Sequence, residues 1–392
     1  MDLKLEIKQY IKMISQNFLL PLCYRIGCRR KMIPGLVVFA DAHHDARPEN
    51  MNLLYQRFSE KKSGNRIQIR ECYLNYQTHG PVTVLKQMCR FMRWYAQAEY
   101  VIICDNFLPA ASCRKRKSTK VIQLWHACGA FKKFGYDTED DIPRNYHGNV
   151  FKNIDLVTVS AEACVKPFAS AMRLPQQCVK PMGVSRTDIY FDEAWRNKCQ
   201  SDFYRQYPQA KGKKVVLWAP TFRGNPGHPK LIEMDLKKLQ KELGEEWFVL
   251  CRVHPHMHEQ YKNEDCSIPT ERLFAVTDVL IADYSSLIFE YLLFDGVLVL
   301  YVPDLQEYQE QRGFYLNFSE IPGYVTDREE LLAETVRKAG TAGANADFTG
   351  QIQRQNQSME EKKKQFTEKY MSECDGSATE RIVNYMVEEA KK

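Results

Sequence analysis

Several common signatures are missing from this chain of 392 residues. Its thirteen cysteines are odd in number and scattered, and no two are spaced as Cys-x-x-Cys. This distribution argues against a disulfide framework or a zinc ribbon and favours a reducing compartment. There is also no Gly-x-Gly-x-x-Gly and no Walker lysine motif, so nothing supports dinucleotide redox chemistry or ATP hydrolysis.

Long hydrophobic runs are absent as well. No segment approaches the roughly 18 consecutive apolar residues of a membrane span. The N-terminal sequence Met-Asp-Leu-Lys-Leu-Glu lacks the basic and then apolar pattern of a secretory signal. We therefore expect a cytoplasmic protein.

What the chain does contain is enough apolar material for two cores. Hydrophobic residues make up 44% of it and aromatic residues 12%. A length of 392 residues suits two domains of roughly 150–200 residues each.

Basic residues are clustered, although the net charge is only +6. Clusters without interleaved acidic residues indicate an anionic partner. Because these clusters also lack interleaved aromatic residues, we expect no nucleic-acid partner. The two clusters are Arg25, Arg29, Arg30 and Lys31, and Arg114, Lys115, Arg116, Lys117 and Lys120.

The beginning of the chain predicts an amphipathic helix. Leu3, Ile7, Ile11, Ile14 and Phe18 recur at spacings of three or four residues, which places them on one helical face. With the basic cluster that follows it, such a helix can lie in the interface of an anionic membrane. It can equally dock on its own domain, and both interpretations stay open at this point.

Short apolar runs alternate with helical patterns along the rest of the chain. Fully apolar strands are typical of parallel sheets with both faces covered. The pattern predicts an α/β fold of two doubly wound, Rossmann-like domains that face a cleft, with a helical N-terminal segment. The predicted strands are Gly35–Ala40, Tyr100–Cys104, Val121–Trp125 and Leu156–Ser160, then Lys214–Trp218, Trp247–Cys251, Val279–Ala282 and Val297–Val302.

A polar break near residues 186–212 separates the two series of strands, and it defines the predicted domains. The last forty or so residues are helical and charged, which suits a surface segment that packs back on the body. The predicted divisions are an N-terminal segment at 1–31, an α/β domain at 32–190, a second α/β domain at 191–345 and a C-terminal segment at 346–392.

A phosphate-binding segment is predicted at Asp-Tyr-Ser-Ser, residues 283–286, between a strand and a helical pattern. Asp283 is a good N-cap residue, and Ser285 and Ser286 fall in the first helical turn. A helix N-terminus offers unpaired N–H groups and the positive end of a dipole, to which the hydroxyls add donors. The alternative is ordinary capping without a ligand.

A candidate general base follows another strand. Ligands of open α/β sheets bind beyond the carboxyl ends of the strands, and His126 lies at such an end. An unperturbed imidazole titrates near neutral pH, which suits a base. Gly129 permits a tight turn after it, and Lys132 and Lys133 follow where they could face an anion. The alternative is a structural histidine bonded to backbone.

Further candidate phosphate ligands follow the strands of the second half. Arg252 and His254 come after one strand, and Thr221 and Arg223 come after another. Arg186, near the domain junction, is placed either for a diphosphate or for an ion pair with a neighbouring aspartate.

A metal site is the alternative for the histidines that follow residue 251. In an extended chain His254, His256 and His258 would lie on one side, as metal ligands might. Pro255 disfavours that extended path, and the sequence offers no obvious fourth ligand. We therefore predict no metal site.

Six motifs occur in one order, and together they are far more specific than any of them alone. They are Trp-His at 125–126, Gly-x-x-Arg-x-Asp at 183–188, Ala-Pro-Thr-x-Arg at 219–223, Arg-x-His-Pro at 252–255, Asp-Tyr-Ser-Ser at 283–286 and Arg-Gly-Phe-Tyr at 312–315. The set resembles the CDP-glycerol glycerophosphotransferase family of teichoic acid and related wall or capsule polymer synthesis. One departure is Ala-Cys-Gly at 127–129, where many members have Gly-Thr-Pro, and it leaves both glycerol and ribitol open as the polyol.

The resemblance implies a glycosyltransferase-B-like fold, with the acceptor on the N-terminal domain and the donor on the C-terminal domain. It implies displacement at the β-phosphorus of CDP-glycerol or CDP-ribitol by a hydroxyl of a lipid-linked polymer acceptor, with CMP leaving. It also implies a peripheral position on the inner face of the cell membrane, at an anionic surface.

Roles for individual residues follow from the same resemblance. His126 would take the proton of the attacking hydroxyl, and His254 would offset charge on the departing CMP. No cofactor is required and magnesium is not implied, because basic groups supply the positive charge. The donor-binding residues would be Arg186, Thr221, Arg223, Arg252, Asp283, Ser285 and Ser286.

Two other functions stay open on the sequence. One is a nucleotide-sugar-dependent glycosyltransferase of cell-surface polysaccharide synthesis, in which Glu290 or Asp295 would meet sugar hydroxyls. The other is a non-catalytic protein that binds membrane or nucleic acid through its basic clusters. Release of CMP rather than UDP discriminates the first, and a filter-binding assay discriminates the second.

Overall fold

The structure is a computed structural model, and it divides the chain into two compact units. It describes residues 10, 13–61, 67–76, 78–138, 141–142, 149–221, 223, 231–253, 265–342 and 350–389. Unit 1 comprises Met1–Ala127, Pro143–Asp188 and Glu373–Lys392, and unit 2 comprises Cys128–Ile142 and Ile189–Ser372.

A parallel sheet of six strands forms the centre of unit 1. Its strands are β1 (Leu36–Asp41), β2 (Gln68–Tyr73), β3 (Tyr100–Ile103), β4 (Lys120–Gln123), β5 (Leu156–Val159) and β6 (Val179–Pro181). The order across the sheet is β2-β1-β3-β4-β5-β6. It reverses direction between β1 and β3, and such a switch point opens a ligand-binding crevice at the carboxyl ends of the two strands.

Helices cover this sheet and bury its apolar strands. Phe39 of β1 shares one core cluster with Met51 and Leu54 of the crossover helix that follows it and with Ile382 of the last helix. Burial of both faces explains why every residue of β1, β3 and β5 is inaccessible to solvent. The helices of unit 1 are Leu20–Gly27, Glu49–Lys61, Pro81–Tyr95, Leu108–Ala111, Val165–Met172 and Ala378–Glu389.

Unit 2 repeats the same architecture with five parallel strands. They are β7 (Lys214–Ala219), β8 (Trp247–Cys251), β9 (Val279–Ala282), β10 (Val297–Tyr301) and β11 (Tyr324–Thr326), in the order β11-β10-β9-β7-β8. The switch point therefore lies between β7 and β9. The helices are Glu193–Gln206, Leu236–Leu243, Thr270–Leu273, Leu287–Tyr291, Leu305–Arg312, Leu332–Ala342 and Gly350–Met371.

The predicted α/β class with two parallel sheets is confirmed, and all eight predicted strands occur with ends shifted by a residue or two. The sequence analysis missed β2, β6 and β11, each of which lies at a sheet edge. Edge strands are covered on fewer sides, and these three are mostly half-buried or exposed. Their residues therefore do not form the continuous apolar run by which the central strands were found.

The structural units depart from the predicted domain ranges at two places. Residues 128–142, within the predicted domain 32–190, belong to unit 2. The predicted C-terminal segment 346–392 is shared, because the helix Gly350–Met371 lies in unit 2 and the helix Ala378–Glu389 lies in unit 1. Periodicity identifies a helix, but it does not say against which sheet that helix packs.

The N-terminal helix is amphipathic, but the described residues of the predicted apolar stripe do not lie on its buried face. Residues 13–27 are helical, with a π-helical turn at Ser15–Leu19. Gln16, Leu20 and Tyr24 are buried and form the inner face. The Tyr24 hydroxyl accepts a hydrogen bond of 2.8 Å from the N–H of Arg116, which ties this helix to the second basic cluster.

The outer face of this helix exposes large apolar side chains. We call them the exposed row: Tyr10, Ile14, Phe18, Leu22 and Ile26, with exposed fractions between 46% and 73%. Of the predicted stripe, Ile14 and Phe18 belong to this row, whereas Leu3, Ile7 and Ile11 lie outside the described residues. In the part of the chain that the structure describes, no helix is long and apolar enough to cross a membrane.

Candidate active site

The first candidate site lies at the switch point of unit 1. His43 follows β1, Asp105 follows β3 and His126 follows β4. Asp105 Oδ2 lies 3.4 Å from Nδ1 of His126 and 3.7 Å from Nε2 of His43. The His126 side chain is 47% exposed, so the predicted base stands beside a carboxylate with part of its ring open to solvent.

The backbone just before His126 is strained. Trp125 has a φ of 57°, which bulky L residues rarely adopt. Its N–H donates to Gln123 Oε1 at 3.0 Å, and Gln123 Nε2 donates to the carbonyl of Asp105 at 3.0 Å. The Trp125 ring stacks on the His126 imidazole with centroids 4.5 Å apart. The buried amide of Gln123 and the indole of Trp125 thus position the ring of His126.

A second histidine and carboxylate pair fixes the loop after β1. His44 Nδ1 lies 2.8 Å from Asp41 Oδ2, which also accepts from the backbone N–H groups of His43 and His44. The hydrogen bond to Asp41 raises the pKa of His44. Burial alone would raise the pKa of Asp41, but the hydrogen bonds from His44 and the backbone outweigh it, and the pKa of Asp41 is lowered.

Arg186 belongs to unit 1 as well, in the Gly-x-x-Arg-x-Asp motif. Its Nη1 donates to Asn50 at 2.7 Å. Asp188 accepts from the backbone N–H groups of Ala378 and Thr379 and so caps the last helix. Gly183 has a φ of 82°, and a Cβ there would overlap the backbone of the segment that leads into this helix. The motif therefore contains Arg186 and also anchors the C-terminal helix.

The second candidate site lies at the switch point of unit 2, where β7 and β9 end. Asp283 is fully buried, and its carboxylate accepts from the backbone N–H groups of Thr221 at 3.0 Å and Tyr284 at 2.7 Å. It also accepts from Nη1 of Arg223 at 2.8 Å. Asp283 thus joins the loop after β7 to the loop after β9 and brings together three of the predicted donor-binding residues.

The predicted N-cap role of Asp283 was wrong. Its carboxylate is occupied by the loop after β7, and the helix Leu287–Tyr291 begins later, after Ser286 as its N-cap residue. Ser285 Oγ accepts from the N–H of Leu287 at 3.3 Å. Both serines are half-buried and precede the helix, whereas they were predicted to lie in its first turn.

Arg223 is enclosed by acidic and aromatic groups. Its Nε and Nη2 donate to the carboxylate of Asp304 at 2.7 and 3.1 Å, opposite its bond to Asp283. The guanidinium lies 4.8 Å from the ring centroid of Tyr284 and 4.9 Å from that of Tyr308. Burial alone would lower the pKa of Arg223, but the two carboxylates raise it. Most of its donors are therefore engaged within the protein.

Thr221 presents a different chemistry. Its hydroxyl oxygen is buried and has no hydrogen-bond partner in the part of the chain that the structure describes. A buried hydroxyl without a partner loses free energy relative to water. Because Thr221 lies at the switch point, a ligand oxygen is a suitable partner.

Arg252 follows β8 and forms an ion pair that the sequence analysis did not predict. Its Nη1 donates to Asp265 Oδ2 at 2.7 Å and to the carbonyl of Cys266 at 2.6 Å. His254, together with His256 and His258, lies outside the described residues. Among the residues that are described, no group of three His, Cys, Asp or Glu side chains is arranged to hold a metal ion.

The segment after His126 belongs to unit 2 and pairs with the Arg-Gly-Phe-Tyr motif. Lys132 forms an antiparallel bridge with Phe314, and the N–H of Tyr315 donates to the carbonyl of Phe131 at 2.8 Å. Gly129 has a φ of 66°, and any Cβ there would overlap the ring of Phe289. Two motifs that are far apart in the sequence thus form one small ribbon.

Lys132 of this ribbon interacts electrostatically with Asp283 and Arg223 of the second site. Burial lowers its pKa to about 8, and the carboxylate of Asp283 opposes that effect. The guanidinium groups of Arg312 and Arg223 lower the pKa of Lys132 further. A desolvated ammonium among other cations suits an anionic ligand, as the sequence suggested for this lysine.

The acidic residue considered for a nucleotide-sugar donor is engaged elsewhere. Glu290 is 1% exposed, and its carboxylate accepts from the hydroxyl of Tyr190 at 2.6 Å. The second candidate, Asp295, is exposed at the end of the loop before β10. Neither is placed like a carboxylate that meets sugar hydroxyls at the switch point.

Sequence reasoning missed the carboxylates that hold the candidate residues. Asp105 and Asp304 each follow a predicted strand closely, so the rule of collecting polar residues after strands could have found them. Asp265 has no such signal, because it follows a long stretch after β8 and is brought back to that strand by a bridge to Cys251.

Comparison with known proteins supplies the family. The family model of CDP-glycerol:poly(glycerophosphate) glycerophosphotransferase matches residues 22–388. The chain belongs to this family. The resemblance inferred from the six motifs is thereby confirmed, and so are the predictions of a transferase and of polyol-phosphate transfer as its class of reaction.

Individual similar proteins agree with this assignment. The chain is 30% identical to a teichoic acid ribitol-phosphate primase of Bacillus spizizenii, over 89% of this chain and 90% of that protein. It is 32% identical to a teichoic acid poly(ribitol-phosphate) polymerase of the same organism over 76% of this chain, but it spans only 48% of that longer protein. The solved structure of the wall teichoic acid polymerase TagF aligns over 98% of both chains with a TM-score of 0.72 and 18% identity, which confirms the glycosyltransferase-B-like fold.

Proposed function

We propose that this protein transfers a polyol phosphate from a CDP-polyol to a hydroxyl of a lipid-linked acceptor in teichoic acid synthesis, with release of CMP. The observation that carries the proposal is the family match over residues 22–388. Within that range, the switch points of both sheets hold residues of the motifs that define the resemblance.

In this proposal, unit 1 supplies the base. His126 accepts the proton of the acceptor hydroxyl, whose oxygen attacks the β-phosphorus of the donor. As the new oxygen–phosphorus bond forms, the bond from phosphorus to the CMP oxygen breaks, and CMP leaves. The partial exposure of the His126 ring supports this role, because a hydroxyl can reach it.

Unit 2 holds the donor in this proposal. Three kinds of group are suited to phosphate oxygens: the Thr221 hydroxyl, which has no partner among the described residues, the hydroxyls of Ser285 and Ser286, and the ammonium of Lys132. Asp283 and Arg223 keep their predicted place at this site, but their internal bonds favour a role in shaping the loops. Arg186, Arg252 and His254 remain predicted ligands of the diphosphate.

Ribitol phosphate is the unit that we propose is transferred. The similar protein whose length this chain nearly spans is named a ribitol-phosphate primase, which supports a CDP-ribitol donor and a priming reaction. Glycerol-phosphate primases of Bacillus subtilis and Staphylococcus aureus are also similar, at 32% and 26% identity, so CDP-glycerol is the competing donor to test.

We also propose that the protein works at the cytoplasmic face of the cell membrane. The exposed row offers apolar side chains at regular four-residue spacing along one helix. Arg116, in the second basic cluster, donates to the carbonyl of Cys28 at 2.6 Å, next to the first cluster. Apolar contact and nearby positive charge together support binding to an anionic lipid surface.

The test is a transfer assay with a defined lipid-linked acceptor. The protein is incubated with CDP-ribitol, CDP-glycerol and UDP-sugars in turn, and released CMP or UDP and the product mass are measured. We expect CMP release and a product heavier by one ribitol phosphate. Release of UDP would favour the glycosyltransferase, and no release with any donor would contradict the proposal.

A variant of His126 tests the proposed base in the same assay. His126→Ala should lower turnover by roughly 10²–10⁴-fold while donor binding is retained, since only proton transfer is lost. The matched control is His79→Ala, which removes a histidine paired with Asp45 after β2 and should leave turnover near normal. Normal turnover in His126→Ala would remove this residue from the mechanism.

A further inference from the structure

We infer that Asp105 is a positioning residue for the transfer reaction, which orients His126 and holds it in the tautomer that has a basic Nε2. The inference rests on the proposed role of His126 as the base. It concerns a residue outside the six motifs, and it is carried by the arrangement of β3 and β4 in unit 1.

The two oxygens of Asp105 have separate tasks. Oδ1 accepts from the N–H of Asn106 at 2.5 Å, which fixes the carboxylate at the end of β3. Oδ2 is the oxygen that faces His126 Nδ1 at 3.4 Å and His43 Nε2 at 3.7 Å. One oxygen therefore anchors the side chain, and the other is presented to two imidazoles.

The backbone around His126 serves the same geometry. β3 and β4 are neighbours in register, so Asp105 and His126 leave the sheet side by side. Gln123 bonds both the carbonyl of Asp105 and the N–H of Trp125, and it is fully buried. Trp125 adopts a left-handed backbone conformation, which is strained in a bulky residue. Strain of this kind concentrates at functional sites.

Packing holds the strained tryptophan and hence the imidazole. The Trp125 ring meets Phe151 and Phe168 edge to face, with centroids 6.3 and 6.0 Å apart. The same ring also stacks on the imidazole of His126. One face of the imidazole is therefore covered by the indole, and its Nδ1 lies 3.4 Å from Asp105.

This geometry has a chemical consequence. With Nδ1 facing a carboxylate, the neutral ring carries its proton on Nδ1 and leaves the lone pair of Nε2 for the acceptor hydroxyl. When Nε2 takes that proton, the ring becomes a cation beside the charge of Asp105. The proton on Nε2 is released to solvent after CMP has left.

The first test is the variant Asp105→Asn, which keeps an oxygen for the N–H of Asn106 and removes the charge. We expect kcat to fall by about 10–10²-fold, with little change in KM for the acceptor or in donor affinity. Asp105→Glu, which restores a carboxylate, should recover part of kcat. The matched control is Asp45→Asn, which breaks the neighbouring pair with His79 and should leave kcat near normal.

A double variant separates this inference from the proposed function. If Asp105 acts through His126, Asp105→Asn added to His126→Ala should lower kcat no further than His126→Ala alone. A loss in His126→Ala with none in Asp105→Asn would overturn the inference and leave the proposed function standing. Normal turnover in His126→Ala would overturn the proposed function itself.

Two further observations decide the remaining alternatives. If His43→Ala lowered kcat as much as Asp105→Asn and His126→Ala did not, His43 would be the functional partner of Asp105 and the inference would be wrong. The tautomer is read from ¹⁵N shifts of labelled histidine in the unmodified protein, which does not depend on any variant folding. We expect the Nδ1–H form of His126, and a dominant Nε2–H form would overturn the inference.

Discussion

Single buried charges organise the loops that follow β7 and β9 in unit 2. Asp283 is inaccessible to solvent, yet it lies between a guanidinium and two backbone N–H groups. A buried carboxylate is tolerated only when such partners replace water. Arg223 is balanced in turn by Asp304, whose carboxylate also accepts from the hydroxyl of Tyr284 at 2.9 Å. The cluster is a closed network, and removal of one member leaves another uncompensated.

We predict that Asp283→Asn lowers the free energy of unfolding by about 2–4 kcal/mol, because it leaves Arg223 with one carboxylate in a buried setting. Chemical denaturation monitored by tryptophan fluorescence measures the change. The control is Asp202→Asn, which breaks a solvent-exposed pair with Arg205 and should cost at most about 1 kcal/mol. Equal effects of the two variants would contradict the network.

A pH effect is expected from the pair of Asp41 and His44. The raised pKa of His44 gives stability that is complete below its unfolded value of 6.5 and is lost as pH rises through the folded value. The lowered pKa of Asp41 gives stability that is present above 3.8 and is lost as pH falls. The pair is therefore most stabilising in mildly acidic solution, and weakly so because the His44 side chain is 56% exposed.

Proton NMR of the His44 ring tests this pair directly. We predict that its titration midpoint lies above 6.5 in the unmodified protein and moves down in Asp41→Asn. Glu60→Gln, an exposed change in the same unit, should leave the midpoint where it is. A midpoint that does not respond to Asp41→Asn would show that the hydrogen bond does not persist in solution.

At the scale of elements, the candidate site residues lie in loops after strands rather than in the strands or helices. The strands β1, β3, β4, β7 and β9 are mostly buried, and their carboxyl ends place the loops. The helix Leu287–Tyr291 is too short to bring a large dipole, so hydroxyl groups matter more at that position.

We predict that Ser285→Ala combined with Ser286→Ala weakens binding of a CDP-polyol by about 1–3 kcal/mol, if both hydroxyls meet the diphosphate. Calorimetric titration of the folded variant measures the change. The control is Ser201→Ala on the helix Glu193–Gln206, where the hydroxyl bonds only to the carbonyl of Asn197. Unchanged affinity in the double variant would leave Ser285 and Ser286 as capping residues.

The exposed row gives a second prediction at this scale. Replacing Ile14, Phe18 and Leu22 with Ser should weaken binding to anionic vesicles by roughly 10–100-fold, because apolar area can no longer enter the interface. Binding of the unmodified protein should also fall as salt rises. Point substitutions are preferable to deletion of the first twenty residues, because Leu20 is fully buried in unit 1.

Co-sedimentation with vesicles measures this binding across a salt series. Val325→Ser is the control, because Val325 is 56% exposed in unit 2 and stands apart from the row. Transfer to a soluble acceptor analogue should persist in the triple variant. Sedimentation equal to that of the unmodified protein would move the membrane-binding surface elsewhere.

At the scale of the whole molecule, the chain forms two units with separate cores, and each unit is built from more than one segment of the sequence. Unit 1 is completed by the last helix, and unit 2 is completed by the segment that follows His126. Neither unit is a continuous piece of the sequence, so truncation at the midpoint would remove part of both. Because the two cores are separate, we expect two unfolding transitions rather than one.

We predict that a CDP-polyol stabilises the transition to which unit 2 contributes. At a donor concentration of about 100 times Kd, the stabilisation is about 2.7 kcal/mol. Scanning calorimetry with and without donor measures it, and Asp283→Asn identifies the transition of unit 2 by shifting it down. A UDP-sugar serves as the control ligand. A shift confined to the transition that Asp283→Asn leaves alone would contradict donor binding by unit 2.

The fold class, the central strands, the family and the candidate base could all be predicted from the amino-acid sequence. These follow from local signals, since a buried strand needs an apolar run and a motif is a fixed spacing. His126 could be found because it directly follows such a run. Edge strands such as β2 could not, because they are half-buried and their residues are mixed.

The groups that the candidate residues contact could not be predicted from the sequence and depend on the folded arrangement. Asp105 reaches His126 because β3 and β4 are neighbours in the sheet, and Asp283 reaches Thr221 because β7 lies beside β9. Those neighbours are set by strand order, which depends on packing of the whole unit and leaves no trace in local spacing. The same reason explains why Asp283, predicted to cap a helix, instead joins two loops. It also explains why the segment after His126 belongs to unit 2.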